Sequence, residues 1–92
     1  MPEPLRYRLV LSPGARRALT ESLNPAAALA AWEFVSGPLR DAPHRVGTAL
    51  REPFAGLWRA RRGEYRVIYE IDDDQRLVRV VDVDHRRDVY RG

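Results

Sequence analysis

From Leu5 to Leu11 apolar and basic residues alternate: Leu5, Tyr7, Leu9 and Leu11 on one side, Arg6 and Arg8 between them. A period of two predicts a strand with one buried face. The period then changes. Ser12-Pro13 supplies a hydroxyl cap and a proline at the first helical position. The helix that follows carries Ala15, Ala18, Leu19 and Ser22 on one side, with Leu23 near its end. Asn24-Pro25 repeats the device, closing this helix and opening a second. In the second, Ala28, Trp32, Val35 and Leu39 form a stripe that predicts packing on a sheet. Gly37-Pro38 predicts a kink or brief break, with one more turn over Leu39 to Asp41. Pro43 to Gly56, punctuated by Pro43, Gly47, Pro53 and Gly56, reads as an irregular crossing segment.

Alternation then returns in three runs, Gly56 to Arg62, Tyr65 to Asp72 and Arg76 to Asp84. Gly63 turns the first pair and Asp73-Asp74-Gln75 the second, with short polar residues that tolerate turn dihedrals. Tyr65 and Tyr69 alternate with Val67 and Ile71 and are expected to face a core, as are Trp32 and Trp58. The tail from His85 to Gly92 is too short and polar to extend a sheet far. The order β-α-α-β-β-β predicts an α+β fold, with a helical hairpin packed on one face of a small antiparallel sheet. The 92 residues are expected to form one domain, 1–92, with a modest core. Such an arrangement leaves the second face of the sheet open.

Composition bears on what that open face can do. All 16 basic residues are arginine and lysine is absent, a bias that a GC-rich genome produces without functional cause. Placement says more than the count. Arg59, Arg61, Arg62 and Arg66 crowd the first hairpin with only Glu64 nearby, while Glu70 and Asp72-Asp73-Asp74 gather beyond it. Planar, bidentate guanidinium groups on a small sheet suit phosphate, so this patch points to nucleic acid. The chain has no cysteine and two histidines, His44 and His85, which argues against disulfide, zinc–cysteine and histidine-cluster sites. No cofactor or metal is expected. Asp82, Asp84 and Asp88 read as charge partners for the arginines. No apolar run has the length of a membrane span or the form of a signal peptide, so a soluble cytoplasmic protein with no membrane partner is expected.

Three stretches together resemble the RelE/ParE toxin superfamily. They are SPGARRAL after the first strand, Ala42-Pro43-His44-Arg45-Val46-Gly47 running into Leu50, and the hairpin LWRARRGEYRVIYEID followed by the terminal HRRDVY. The RelE branch is the nearer one, because the hairpin arginines and the terminal motif are both present. The resemblance implies the toxic half of a type II toxin–antitoxin pair, held inactive in a hetero-oligomer by a cognate RelB-like antitoxin. It implies an enzyme that enters the ribosomal A site and cuts mRNA, without a metal. The ribose 2′-hydroxyl attacks the adjacent phosphate and expels the 5′ oxygen, and translation stops. The family's functional residues fall here on Arg59 and Arg61, on Arg66, on Arg86 and on Tyr90.

That chemistry needs a proton acceptor, charge stabilisation at phosphorus and a donor for the leaving oxygen. Arg66 and Arg86 fit a clamp on the scissile phosphate; the plain alternative is ion pairing with Glu64, Glu70 or Asp88. Arg59, Arg61 and Arg62 fit RNA and phosphate binding. The best-known RelE pattern has lysines where this chain has Arg59 and Arg61. A guanidinium with a pKa above about 12 is not a credible general base. His85, whose ordinary pKa is about 6.5, is a candidate for that role or a histidine that packs at a strand end. Tyr90 either donates a proton, stacks on a base or packs against the sheet. His44 reads as structural. Two other functions stay open: a ParE-type inhibitor of DNA gyrase that cuts nothing, and an RNA-binding homologue without catalysis.

Overall fold

The computed structural model of the chain describes residues 6–85. Its strands are β1 (Arg8–Leu11), β2 (Thr48–Ala49), β3 (Trp58–Arg62), β4 (Tyr65–Asp72) and β5 (Leu77–His85). Its helices are α1 (Pro13–Arg17), α2 (Pro25–Ser36), α3 (Pro38–Asp41) and α4 (Pro43–Val46), and α1 continues as a π-helical turn over Ala18–Ser22. The expected α+β layering is present. The five strands lie in the order β1-β5-β4-β3-β2. β3, β4 and β5 form the expected antiparallel meander, but β1 runs parallel to β5, so the sheet is mixed. The helical segment between β1 and the rest of the sheet makes this possible, because parallel neighbours need a crossover rather than a tight turn.

Both helix starts follow the cap logic. Ser12 Oγ accepts from the Ala15 amide at 3.0 Å and Asn24 Oδ1 from the Ala27 amide at 2.9 Å, each followed by proline in the first turn. Two readings along α2 need correction. Val35 and Leu39 of the expected stripe are buried, but Ala27, Ala31 and Phe34 take the place of Ala28 and Trp32, and Trp32 is 45% exposed rather than in the core. Pro25 to Ser36 is apolar nearly all round, so spacing alone did not select the buried face. The crossing segment is also less irregular than expected, since it holds α4 and β2. Among the described residues no helix is long and apolar enough to cross a membrane.

The core lies between the helices and one face of the sheet. Tyr65, Val67 and Tyr69 of β4, Val78, Val80 and Val83 of β5, and Ala60 of β3 meet Ala15, Ala31, Val35 and Leu39 there. Tyr69 is fully buried, and its hydroxyl donates to the Pro43 carbonyl at 2.7 Å. Trp58 stacks on Tyr69 with ring centroids 6.3 Å apart. His44, half exposed, lies edge-on to Trp58 and is hydrogen-bonded to Asp73 at 3.1 Å.

Candidate active site

Strand register decides which side chains reach the open face. In β3 and β4, Trp58 pairs with Tyr69, Ala60 with Val67 and Arg62 with Tyr65; these face the helices. Arg59 pairs with Ile68 and Arg61 with Arg66, and these face away. The β3–β4 turn places Gly63 at φ +54°, the left-handed backbone that a two-residue hairpin loop with glycine first requires. Three of the predicted arginines, Arg59, Arg61 and Arg66, therefore share one surface. Arg66 is held there by Asp84, whose carboxylate accepts from Nη2 at 3.2 Å.

Arg62 belongs elsewhere. It sits on the helix side of β3, donates to the carbonyls of Arg61 (2.6 Å) and Val46 (2.9 Å), and lies over the Phe34 ring at 4.8 Å. Its guanidinium ties α4 and α2 to the end of β3, so its strand parity differs from that of Arg59 and Arg61 although it borders the same groove.

β5 contains a second decision. Ile68 pairs with Asp82 but Tyr69 pairs with Val80, so Val81 is an extra residue, a β-bulge. Before it, Val78 and Val80 point to the core; after it, Val83 does, and Asp82 and Asp84 point to the arginine face. Ser12 secures this feature. Its Oγ, which caps α1, donates to the Val81 carbonyl at 2.6 Å, and its amide donates to the Val80 carbonyl at 2.9 Å.

The bulge also removes His85 from the candidate site. His85 pairs with Tyr65 and so lies on the helix-covered side. Its side chain is 15% exposed and its Nε2 meets Glu64 at 3.4 Å. Uninterrupted alternation from Val78 and Val80 would have put His85 beside Arg66; the extra residue reverses the phase. The expectation that His85 stands beside Arg66 is therefore corrected: the two lie on opposite faces of the sheet. Arg86 and Tyr90 lie outside the described residues.

The open face thus carries two rows across β5, β4 and β3: Asp84, Arg66 and Arg61 in one, Asp82, Ile68 and Arg59 in the other. Partial burial and the neighbouring Asp84 carboxylate raise the pKa of Asp82, against a smaller opposing pull from the Val83 amide and Arg66. A cation outside the predicted set, Arg45 of α4, lines a shallow groove at the β2 edge with Gly47, Thr48, Arg59, Arg61 and Arg62. Its signal in the sequence was the basic pair His44-Arg45, but only the fold brings that turn to the β3 edge.

Comparison with known proteins agrees with this fold. The family described as ParE toxin of type II toxin–antitoxin system, parDE, matches residues 9–90. The chain is 45% identical over 85 residues to Toxin RelG of Mycobacterium tuberculosis, covering 92% of this chain and 97% of the relative. It is 42% identical to Toxin RelE of the same organism, covering 92% and 87%. The crystal structure of the toxin–antitoxin complex RelBE2 from M. tuberculosis superposes with a TM-score of 0.84 at 43% identity, over 88% of this chain and 99% of that one. With the helices on one sheet face and the arginines on the other, the chain belongs to the RelE/ParE family of type II toxin–antitoxin toxins, on its RelE branch.

Proposed function

We propose that this toxin is a ribosome-dependent mRNA endoribonuclease. The observation that carries the reading is the convergence of Arg59, Arg61 and Arg66 on the sheet face opposite the helices, with Arg66 oriented by Asp84. Three guanidinium groups on one surface suit the phosphates of a strand laid across it. Arg66 and Arg86 clamp the scissile phosphate and stabilise the charge that builds as the 2′-hydroxyl attacks. Arg59 and Arg61 hold the flanking backbone. Tyr90 stacks on a base or donates to the leaving 5′ oxygen. The roles of Arg86 and Tyr90 rest on the resemblance of the terminal HRRDVY. The cognate antitoxin is RelB-like, in keeping with the toxin–antitoxin complex that superposes on this chain. Leu29 and Trp32, 59% and 45% exposed on α2, are large apolar groups such a partner can cover.

The test is to add the toxin to ribosomes paused on a defined mRNA and map the ends. In-frame cuts within the A-site codon, leaving 2′,3′-cyclic phosphate and 5′-hydroxyl ends, support the reading. Arg66→Ala is expected to lower the rate by about 100-fold or more, as loss of a charge-stabilising donor does. A 2′-deoxy nucleotide at the scissile position is expected to block cleavage. The family match to ParE toxins gives the competing outcome: intact mRNA together with inhibition of purified DNA gyrase would replace the nuclease with a gyrase-binding toxin.

A further inference from the structure

The nuclease reading leaves one part unfilled. Arg59 and Arg61 cannot accept a proton at neutral pH, and His85 is on the other side of the sheet. We propose that Asp82 is the proton acceptor, a catalytic carboxylate delivered to the arginine face by the Val81 bulge. This inference rests on the nuclease reading of the same face.

Four observations carry it. Asp82 pairs with Ile68, so it stands diagonally across from Arg66 on the same surface, a separation of about 7–8 Å between backbone positions. Second, the other carboxylate of the face, Asp84, is already committed to Arg66, whereas Asp82 forms no ion pair among the described residues. Third, the bulge is built and held. Ser12 donates to the carbonyl of Val81, the extra residue itself, and the same hydroxyl caps α1. Without the extra residue the phase of β5 would turn Asp82 toward the helices. Bulges recur beside active sites for this purpose, to re-aim a side chain. Fourth, the environment favours a base of useful strength. The charged groups that bear on Asp82 are Asp84 on its own strand and Arg66 on the next; with partial burial they leave its pKa above the ordinary carboxylate value. A carboxylate whose pKa is raised is a stronger acceptor than a free one.

The step balances. The 2′ oxygen attacks phosphorus as its proton passes to a carboxylate oxygen of Asp82. The P–O5′ bond breaks, its electron pair leaves on the 5′ oxygen, and that oxygen takes a proton from water. Asp82 then returns its proton to solvent. Asp84 is a positioning residue: it orients Arg66 and, through its charge, raises Asp82.

Single-turnover cleavage on programmed ribosomes tests this with full-length wild type, Asp82→Asn and Asp82→Glu from acid to neutral pH. Wild-type rates are expected to rise with pH and level off above the pKa of Asp82. Asp82→Asn is expected to lower the plateau by about 100-fold, abolish the acid limb and leave binding to the ribosome–mRNA complex unchanged. Asp82→Glu is expected to restore part of the rate with a shifted acid limb. An Asp82→Asn toxin that cleaves at the wild-type rate with the wild-type pH profile overturns the proposal. Should the asparagine variant fail to fold, the glutamate variant decides: an acid limb that does not move overturns it. The nuclease reading fails separately, in a wild type that never cuts or that cuts a 2′-deoxy substrate equally well.

Discussion

Tyr69 shows how much a single side chain of this toxin must satisfy. Its ring fills the core and its hydroxyl reaches the Pro43 carbonyl, which holds α4 against the sheet. Gly47 makes that approach possible, because a Cβ there would run into the Tyr69 hydroxyl and the Arg59 carbonyl. Gly47→Ala is expected to destabilise by about 1–3 kcal/mol through forced overpacking. Tyr69→Phe leaves the Pro43 carbonyl without its donor and is expected to cost about 1–3 kcal/mol. Chemical denaturation checks both. Burial pushes the Tyr69 hydroxyl up to about 12 from 10.0. The folded pKa is the higher one, so this contribution is present below about pH 10 and is lost as pH rises toward 12. Denaturation midpoints measured across that window are expected to fall in wild type and to fall less in Tyr69→Phe. Asp82 has the same sign at acid pH. Its folded pKa is raised, so stability falls as it ionises, and at neutral pH the ionised form weakens the fold. Asp82→Asn is therefore expected to melt at the wild-type temperature or above it while losing activity, which separates a catalytic role from a structural one.

At the scale of elements, the informative piece is the junction of β1, α1 and β5. Ser12 ends β1, caps α1 and fastens the Val81 bulge with one hydroxyl. Ser12→Ala is expected to cost about 1 kcal/mol as a lost cap and also to slow cleavage by loosening the segment that carries Asp82. Ser12→Thr, which keeps the hydroxyl, is expected to recover both. Thermal melts paired with single-turnover rates read the two effects, and a Ser12→Ala toxin with normal cleavage would show that the bulge holds without it. The bulge appears only in the burial pattern: valines at positions 78 and 80, then 83, are buried, a step of three in a strand of period two, and the run Arg76 to Asp84 did not announce it. The hairpin was plainer. The β4 bounds are those expected, Tyr65 to Asp72, because alternation there is unbroken and Gly63 marks the turn. Helix α2 was legible in its caps but not in its buried face, since alanines surround it and only contact with the sheet selects Ala27 and Ala31 over Ala28.

For the whole molecule, the proposed function rests on the division of the sheet into two faces. One buries tyrosines and valines under the helices; the other is free to present arginines to a polyanion. Binding to ribosome-held mRNA through several guanidinium–phosphate contacts is expected to weaken steeply with salt. Arg59→Ala and Arg61→Ala are each expected to reduce that salt slope by about one unit while leaving the melting temperature nearly unchanged. Binding isotherms at several salt concentrations measure the slope; one that does not change would remove those residues from the RNA path.

The order of residues alone settled the layering, the helix caps, the meander and the basic hairpin, because caps, turns and period-two alternation are local and each carries its own physical signal. It also carried the resemblance to a toxin family through motifs spread along the chain. Which arginines act together was a matter of three-dimensional packing. Arg59, Arg61 and Arg66 join because β3 and β4 pair in one register; Arg62 leaves them because it falls on the other parity; His85 is turned away and Asp82 turned in by one extra residue in β5. Register and bulges are fixed by which strands bury which faces, a non-local choice that no single stretch of the chain contains.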